Sequence, residues 1–445
     1  MRSQRRLSQQ AYRFELDPSR QQRVLLAKSV GASRYVYNWG LAESQREYKR
    51  TGRRPRHSDL KRRLVGLKQG EAPWLYEVSA HIGQQALVDL ERAFDRFFKG
   101  MKSEGPKSGF PRFKRKGERD SARLYEFRVY ERHVQLPNIG RIRLKERTVK
   151  LQGRAVAATV RRRADRWFVS LTVEREREIV PVRRVVRPPD IVGVDLGLAR
   201  AAVIHDGSAA RIVEPRRALR QNLARLQRLD RQLARKQKGS RNREKAKLRR
   251  ARLHYRVSCQ RQDYLHKLSS SLAKTKSVIV LEDLHVRGIQ RNRQLALSIS
   301  DAGLGELRRQ LSYKSEWYGS TLVIADRRFP STQLCSGCGC LSERMKGMHG
   351  LKQRKYQCGA CGQSFDRDVN AAINLRAYGL HELGIVPLPE DFREVKPVGE
   401  EGSGASTIGA KPSSLKQEAS GSRRARPNTQ KRAERLASAG FTSGI

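Results

Sequence analysis

Two apolar stretches, each broken by an acid, decide how this chain is read: Ile191-Val-Gly-Val-Asp195-Leu-Gly197 and Val278-Ile-Val-Leu-Glu282-Asp-Leu284. Both are short runs of branched aliphatics, the pattern of a strand buried on both faces. An ionised acid at the end of such a strand is costly unless something pairs with it. A third stretch, Phe365-Asp366-Arg-Asp368-Val-Asn-Ala-Ala-Ile-Asn-Leu375, places two more acids directly before a short apolar helix. Carboxylates delivered by separate elements suit a pair of Mg²⁺ ions, which activate water and stabilise a leaving oxygen in phosphodiester hydrolysis. Taken singly, each acid has a plainer explanation. Asp195 could end a strand, Glu282 could pair with an arginine, and Asp366 or Asp368 could cap a helix.

Outward from Asp195, Ile191–Leu196, Ala201–His205 and Ala210–Val213 read as consecutive strands, with Asp206-Gly207 as a tight turn. Residues 216–272 read as a basic helical hairpin. Leu219, Leu223, Leu226, Leu229 and Leu233 give its first arm an apolar seam, Lys238-Gly239-Ser240 is its turn, and cations from Arg235 to Arg250 crowd its tip. A strand at Ser277–Leu281, a helix near Leu304–Tyr318 and a strand at Thr321–Ala325 follow. Cys335-Ser-Gly-Cys338 and Cys358-Gly-Ala-Cys361 are C-x2-C pairs at the spacing of a four-thiolate zinc ribbon, with Gly337 and Gly359 expected on the knuckles. Four protein ligands leave no open position, so this Zn²⁺ is expected to be structural. Cys340 and His349 lack the knuckle spacing, and Cys259 falls on a predicted helix.

The first 180 residues mix strands with helices. Tyr12–Leu16 is a short strand, and Asp17-Pro18 is read as the cap and first turn of a helix burying Leu25, Leu26, Val30 and Tyr37. A helix from about Ser79 sets Ile82, Ala86, Leu90, Phe94, Phe97 and Met101 on one face, and strands return at Val134–Leu136, Arg141–Leu144, Val156–Arg161 and Trp167–Glu174. A β-barrel carrying a helical insertion is the expected arrangement. In Gly109-Phe-Pro-Arg112-Phe-Lys114-Arg115-Lys116, the four cations are candidates for a phosphate track and Phe110 or Phe113 for base stacking. The alternative is that both rings anchor a loop on the core.

The chain's 445 residues carry 94 Lys and Arg against 44 Asp and Glu, a formal charge of +50. Such self-repulsion calls for a polyanionic partner, of which nucleic acid is the common one, and argues against a small-molecule enzyme with an acidic or neutral surface. No run of apolar residues approaches the roughly 20 needed to span a membrane, and the basic N-terminus lacks a signal peptide's apolar core. A cytoplasmic, nucleoid-associated prokaryotic protein is the expectation.

An acid on the first of three antiparallel strands, another after the fourth strand and a last one at a C-terminal helix match the ribonuclease H architecture. The motifs GVDLG, VLEDL, LALSISDAG, ELRRQLSYKSEWYG, CSGCG and DRDVNAAINL, with SVGASRYVYNWGL and GFPRFKRKG upstream, resemble the TnpB family of RNA-guided nucleases encoded by insertion sequences, relatives of the type V CRISPR effectors. The resemblance spans residues 11–380. It implies an α+β multidomain protein: residues 1–180 a wedge-like β-barrel with a helical recognition insertion binding guide RNA and target DNA; 181–330 the first part of a RuvC-like nuclease domain, including the hairpin 216–272; 331–363 an inserted zinc ribbon; 364–396 the second part of the nuclease domain; and 397–445 a disordered basic tail. It further implies that Asp195, Glu282 and Asp368 hold catalytic Mg²⁺, with Asp366 a neighbour, and that Cys335, Cys338, Cys358 and Cys361 hold Zn²⁺. The activity implied is DNA cleavage beside a short target-adjacent motif by a monomer carrying an element-derived guide RNA. A nuclease-inactive RNA-guided repressor and a transposase with a ribonuclease H-like site are the competing readings. The first needs a damaged acid set, and the second a domain that reads transposon ends directly.

Overall fold

Strand β1 (Arg5–Asp17) runs far longer than its apolar alternation suggests, because its polar half is zipped to β7 (Arg166–Glu178): Arg5 faces Glu178, Leu7 faces Glu176 and Gln9 faces Glu174. The structure, a computed structural model, describes residues 5–102, 108–118, 120–178, 188–342 and 354–385. By its internal contacts the chain divides into Met1–Glu394 and Val395–Ile445. The tail expected at 397–445 and most of the linker around 180–189 lie outside the described residues.

Three helices, α1 (Arg20–Thr51), α2 (His57–Gln69) and α3 (Ala80–Lys102), separate β1 from the next strand. Helix α1 starts later than Asp17-Pro18 suggests. Ser19 is its cap: its hydroxyl accepts from the Gln22 amide while the Gln22 side chain accepts from the Ser19 amide, a reciprocal capping box. Leu26, Val30 and Tyr37 of α1 pack with Ile82, Ala86, Leu90 and Phe94 of α3 in one core. Met101, expected on that apolar face, is exposed, and Phe97 meets Phe98 and Phe110 instead.

After the helices come β2 (Ser121–Leu124), β3 (Arg128–Val129), β4 (His133–Leu136), β5 (Gly140–Leu144) and β6 (Arg154–Arg163). With β1 and β7 they form a seven-stranded sheet ordered β2-β6-β7-β1-β5-β4-β3. Here the expected barrel is corrected: among the described residues no ladder joins β2 to β3, so the sheet is open. The reason is local, since β3 contributes only two residues and both pair with β4.

The second sheet, ordered β10-β9-β8-β11-β12, comprises β8 (Ile191–Asp195), β9 (Ala202–His205), β10 (Ala210–Val213), β11 (Val278–Glu282) and β12 (Thr321–Ala325). Its first three strands are antiparallel, whereas β11 runs parallel to both β8 and β12. Between β10 and β11 lie α4 (Ala218–Gln221), α5 (Leu223–Ala234) and α6 (Arg241–Thr275), the expected hairpin, with Gly239 at φ +85° in its turn and Ser240 capping α6. Next come α7 (Val286–Ile289), α8 (Arg293–Ala302) and α9 (Leu304–Tyr318). The described residues end with a two-stranded ribbon, β13 (Lys355–Gln357) and β14 (Ser364–Asp366), and α10 (Arg367–Glu382).

Strand alternation splits this sheet's burial between its faces. Val192, Val194, Ile279 and Leu281 pack with Leu265, Leu268 and Leu272 of α6 and Leu307 and Leu311 of α9. Ile191, Val278 and Val280 face α10 through Leu375 and Leu380. Residues 193, 195 and 282 share that second face. No described helix is long and apolar enough to cross a membrane.

Candidate active site and metal centre

Asp195 ends β8, the central strand, and Glu282 ends its parallel neighbour β11. The ladder pairs Leu281 with Val194, so the two acids occupy adjacent ends on the α10 side. The third acid arrives through a backbone contact. A Cβ at Gly193 would lie 2.0 Å from the Ala372 carbonyl oxygen and 2.5 Å from the Arg376 amide nitrogen, so only glycine lets α10 settle this close to β8. Asp195 follows Gly193 by two residues on the same strand face, and Asp368 precedes Ala372 by one helical turn. The close approach at Gly193 therefore sets Asp368 beside Asp195.

The electrostatics agree. Asp195 is 8% exposed, and among the described residues no hydrogen bond or ion pair reaches its carboxylate. Burial, then the charges of Glu282 and Asp368, push its pKa well above the ordinary aspartate value. Burial raises the pKa of Glu282 as well, against a hydrogen bond from the Ser331 hydroxyl and the nearby Arg367. Asp368 is met by Arg367 at 3.1 Å and by Arg200 and Arg354 at 3.8 Å each. Asp366 has a different setting. It caps α10 by accepting from the amides of Asp368 and Val369, and it takes an ion pair from Arg200 at 2.7 Å. Burial works to raise its pKa, but Arg200 and those amides hold it below the ordinary value. A buried carboxylate next to two further acids, with Arg367 as the one opposing charge acting on it among the described residues, is a candidate site for a cation. The three acids are not drawn as tightly together as the thiols described next.

The four sulfurs of Cys335, Cys338, Cys358 and Cys361 lie within 4.8 Å of one another, with Cys335–Cys361 and Cys338–Cys358 each at 3.6 Å. A tetrahedron with Zn–S bonds of about 2.3 Å has sulfurs roughly 3.8 Å apart, so the donor set fits zinc. Each knuckle closes alike: the Gly339 amide donates to the Cys335 carbonyl and the Gly362 amide to the Cys358 carbonyl. The glycines needing positive φ are these two, at +79° and +73°, rather than Gly337 and Gly359. Burial, offset in part by the amides of Cys338 and Gly337 and reinforced by neighbouring thiols, pushes the Cys335 pKa up to about 12. Metal uptake must therefore expel protons, and zinc affinity is expected to rise with pH. Cys335→Ser should take bound zinc from one ion per chain to none by elemental analysis, while the rest of the chain still melts cooperatively. Cys340 lies outside the sulfur cluster, and His349 falls outside the described residues.

Two asparagines that sequence reasoning passed over join these centres. Asn370 and Asn374, one turn apart on α10, are fully or almost fully buried. Both donate to the Leu334 carbonyl, at 2.6 and 2.8 Å, and Asn374 also donates to the Ser331 carbonyl at 2.7 Å. Asn370 in turn accepts from the Ser336 amide at 2.8 Å. The available signal was two amides at i and i+4 inside an apolar helix, where polar groups need partners.

The candidate phosphate track is divided. Arg112, Arg115 and Lys116 are exposed, whereas the Lys114 ammonium sits 3.9 Å from the Tyr37 ring centroid, and burial lowers its pKa. The Asn38 side chain bonds both the amide and the carbonyl of Lys114. Phe110 packs edge-on against Phe94 and Phe97, while Phe113 stands exposed.

A mixed α+β chain with acids clustered at a central strand's end, and a four-thiol centre bonded to the adjoining helix, is the class this geometry defines. Residues 169–293 match a family model described as "Probable transposase" (OrfB of IS605), residues 305–375 one described as "Cas12f1-like, TNB domain", and residues 8–53 one described as "Helix-turn-helix domain". Within that last span the chain is a strand followed by one uninterrupted helix, not two helices and a turn. A Streptomyces pristinaespiralis protein named "Putative RNA-guided DNA endonuclease" is 37% identical, over 83% of this chain and 89% of that protein. InsQ of Escherichia coli K12, given the same description, is 31% identical over 87% of this chain and 96% of its own length. The chain belongs to the OrfB/TnpB family. Among solved structures, one titled as a Cas12f1–sgRNA–target DNA complex covers 83% of this chain and 99% of its own at 15% identity, with a TM-score of 0.33, too slight to define a fold.

Proposed function

We propose that this protein is an RNA-guided DNA endonuclease of a mobile element, cutting with a RuvC-like site formed by Asp195, Glu282 and Asp368. The observation that carries the reading is the buried, unpaired Asp195 between two further acids, in a chain that aligns over most of its length with relatives named for that activity. Divalent ions held there, Mg²⁺ in our reading, would supply an activated water and neutralise the departing oxygen. Asp195 lies between the other two acids, where it can serve both ions. Ser331 orients Glu282, and Arg200 fixes Asp366 so that the first turn of α10 presents Asp368. In this reading the four thiols hold a structural zinc, and residues 1–180 with the basic hairpin grip a guide RNA and its DNA heteroduplex by backbone and charge.

The test is to express the protein with its native flanking DNA, purify it and sequence the RNA that comes with it. A discrete RNA with a constant scaffold and a variable end, directing cuts in matching DNA, is expected. Heterogeneous cellular RNA would remove the guided activity and leave a basic protein that collects polyanions. In the exposed loop, Arg112→Ala with Arg115→Ala should lower the salt dependence of RNA binding by a slope of up to about 1.5–2, with little effect on base choice.

A further inference from the structure

The structure assigns Asn370 and Asn374 to a latch through which α10, the helix carrying Asp368, also positions Glu282 and the first zinc knuckle. The inference rests on the metal-site reading of the three acids. Ser331 places its hydroxyl on the Glu282 carboxylate, and the Ser331 carbonyl is held by Asn374 at 2.7 Å. Three residues on, the Leu334 carbonyl accepts from both asparagines, so both its lone pairs are engaged. The Ser336 amide donates to Asn370, and Cys335 is thus bracketed by two peptide groups bonded to one helix. Ser331, Asn370 and Asn374 are all nearly or fully buried, and a missing partner there would leave a desolvated polar atom. The thiol centre and the acids therefore share one positioning helix: Asn370 holds the knuckle, and Asn374 holds both the knuckle and the segment that orients Glu282.

Three substitutions in the protein carrying its RNA separate the links. Mn²⁺ binding is followed by electron paramagnetic resonance and zinc loss by release to a colorimetric chelator. Ser331→Ala removes only the Glu282 contact and should weaken Mn²⁺ binding about tenfold with zinc release unchanged. Asn370→Asp keeps the acceptor for Ser336 but loses the donor to Leu334. It should speed zinc release about tenfold and leave Mn²⁺ binding within twofold. Asn374→Ala, which breaks both links, should do both. A general loss of stability would move the two readings together in all three variants, and that pattern, or wild-type values in Asn374→Ala, overturns the latch. If Asn374→Ala does not fold, the opposite effects of the other two decide. Absence of guided cutting with this pattern intact would remove the guided activity and leave the latch standing. Wild-type protein that binds no Mn²⁺ would remove both the acid site and its positioning.

Discussion

Asp195→Asn should abolish guided DNA cleavage, by on the order of 10³-fold or more, while the metal-free protein becomes more stable. The two effects have one cause. A thousandfold loss is about 4 kcal/mol of barrier, a reasonable cost for removing a carboxylate that, in the proposed reading, would hold the catalytic ions. In the metal-free state that carboxylate is a liability, buried against Glu282 and Asp368 without a hydrogen bond or ion pair among the described residues. Its raised pKa fixes the sign of the pH dependence. Between the ordinary value of 3.8 and the higher folded value, the native state holds a proton that the unfolded chain has released. Stability of the metal-free protein therefore falls as pH climbs through that window, and Glu282 adds to the same slope. Thermal melting followed upward from about pH 4, near the ordinary carboxylate value, should show a shallower decline in the variant. Added Mg²⁺ should raise the wild-type melting temperature and leave Asp195→Asn nearly unmoved. Guide RNA should remain bound in both. Retained cleavage in the variant would end the assignment.

Asp195 and Glu282 were legible because an acid closing an apolar run is a local anomaly, visible without knowing what lies beside it. The two C-x2-C pairs were legible for a similar reason: the spacing itself encodes a shared ion. What stayed hidden depends on partners distant in sequence. The polar half of β1 carries no apolar alternation, and it is a strand because Arg5, Leu7 and Gln9 face Glu178, Glu176 and Glu174. Whether seven strands close into a barrel rests on pairing between the end strands, and the brevity of β3 has no composition signal. Asn370 and Asn374 lie within Asp366–Leu375, yet their partners near Cys335 come from a different segment. The cap at Ser19 carries a local signal, Ser19-x-x-Gln22, which competes in the sequence with Asp17-Pro18.

Asp366 and Asp368 show why a motif alone under-determines a site. Two residues apart, they share Arg200 but little else: Asp366 is turned back onto the amides of its own helix and held by Arg200 at 2.7 Å, whereas Asp368 is buried beside Asp195 with Arg200 at 3.8 Å. Three guanidiniums, those of Arg367, Arg200 and Arg354, lie 3.1–3.8 Å from the Asp368 carboxylate. A divalent ion arriving there must compete with them.

Gly193→Ala should be nearly as damaging to cleavage as loss of an acid, although it adds one methyl and touches no ligand. The new Cβ would meet the Ala372 carbonyl oxygen at 2.0 Å and the Arg376 amide nitrogen at 2.5 Å, both main-chain atoms that cannot rotate away. Relief requires α10 to lift off β8. That helix is also fitted to β11 by Gly379, where a Cβ would lie 2.4 Å from a Val280 methyl, so it has little freedom to tilt. An overpacked contact of this kind costs on the order of 3 kcal/mol, and a shift of about 1 Å in Asp368 costs about 10²-fold in rate. The expected result is a melting temperature several degrees lower and cleavage reduced about a hundredfold or more, with zinc and guide RNA still bound. Gly66→Ala is the matched control, because a Cβ there, on the helix α2, meets nothing within 4 Å. It should be neutral for cleavage and stabilise by about 0.5–1 kcal/mol through helix propensity. Equal effects from the two substitutions would mean that the Gly193 approach does not position the site, and the geometric route by which Asp368 reaches Asp195 would have to be abandoned.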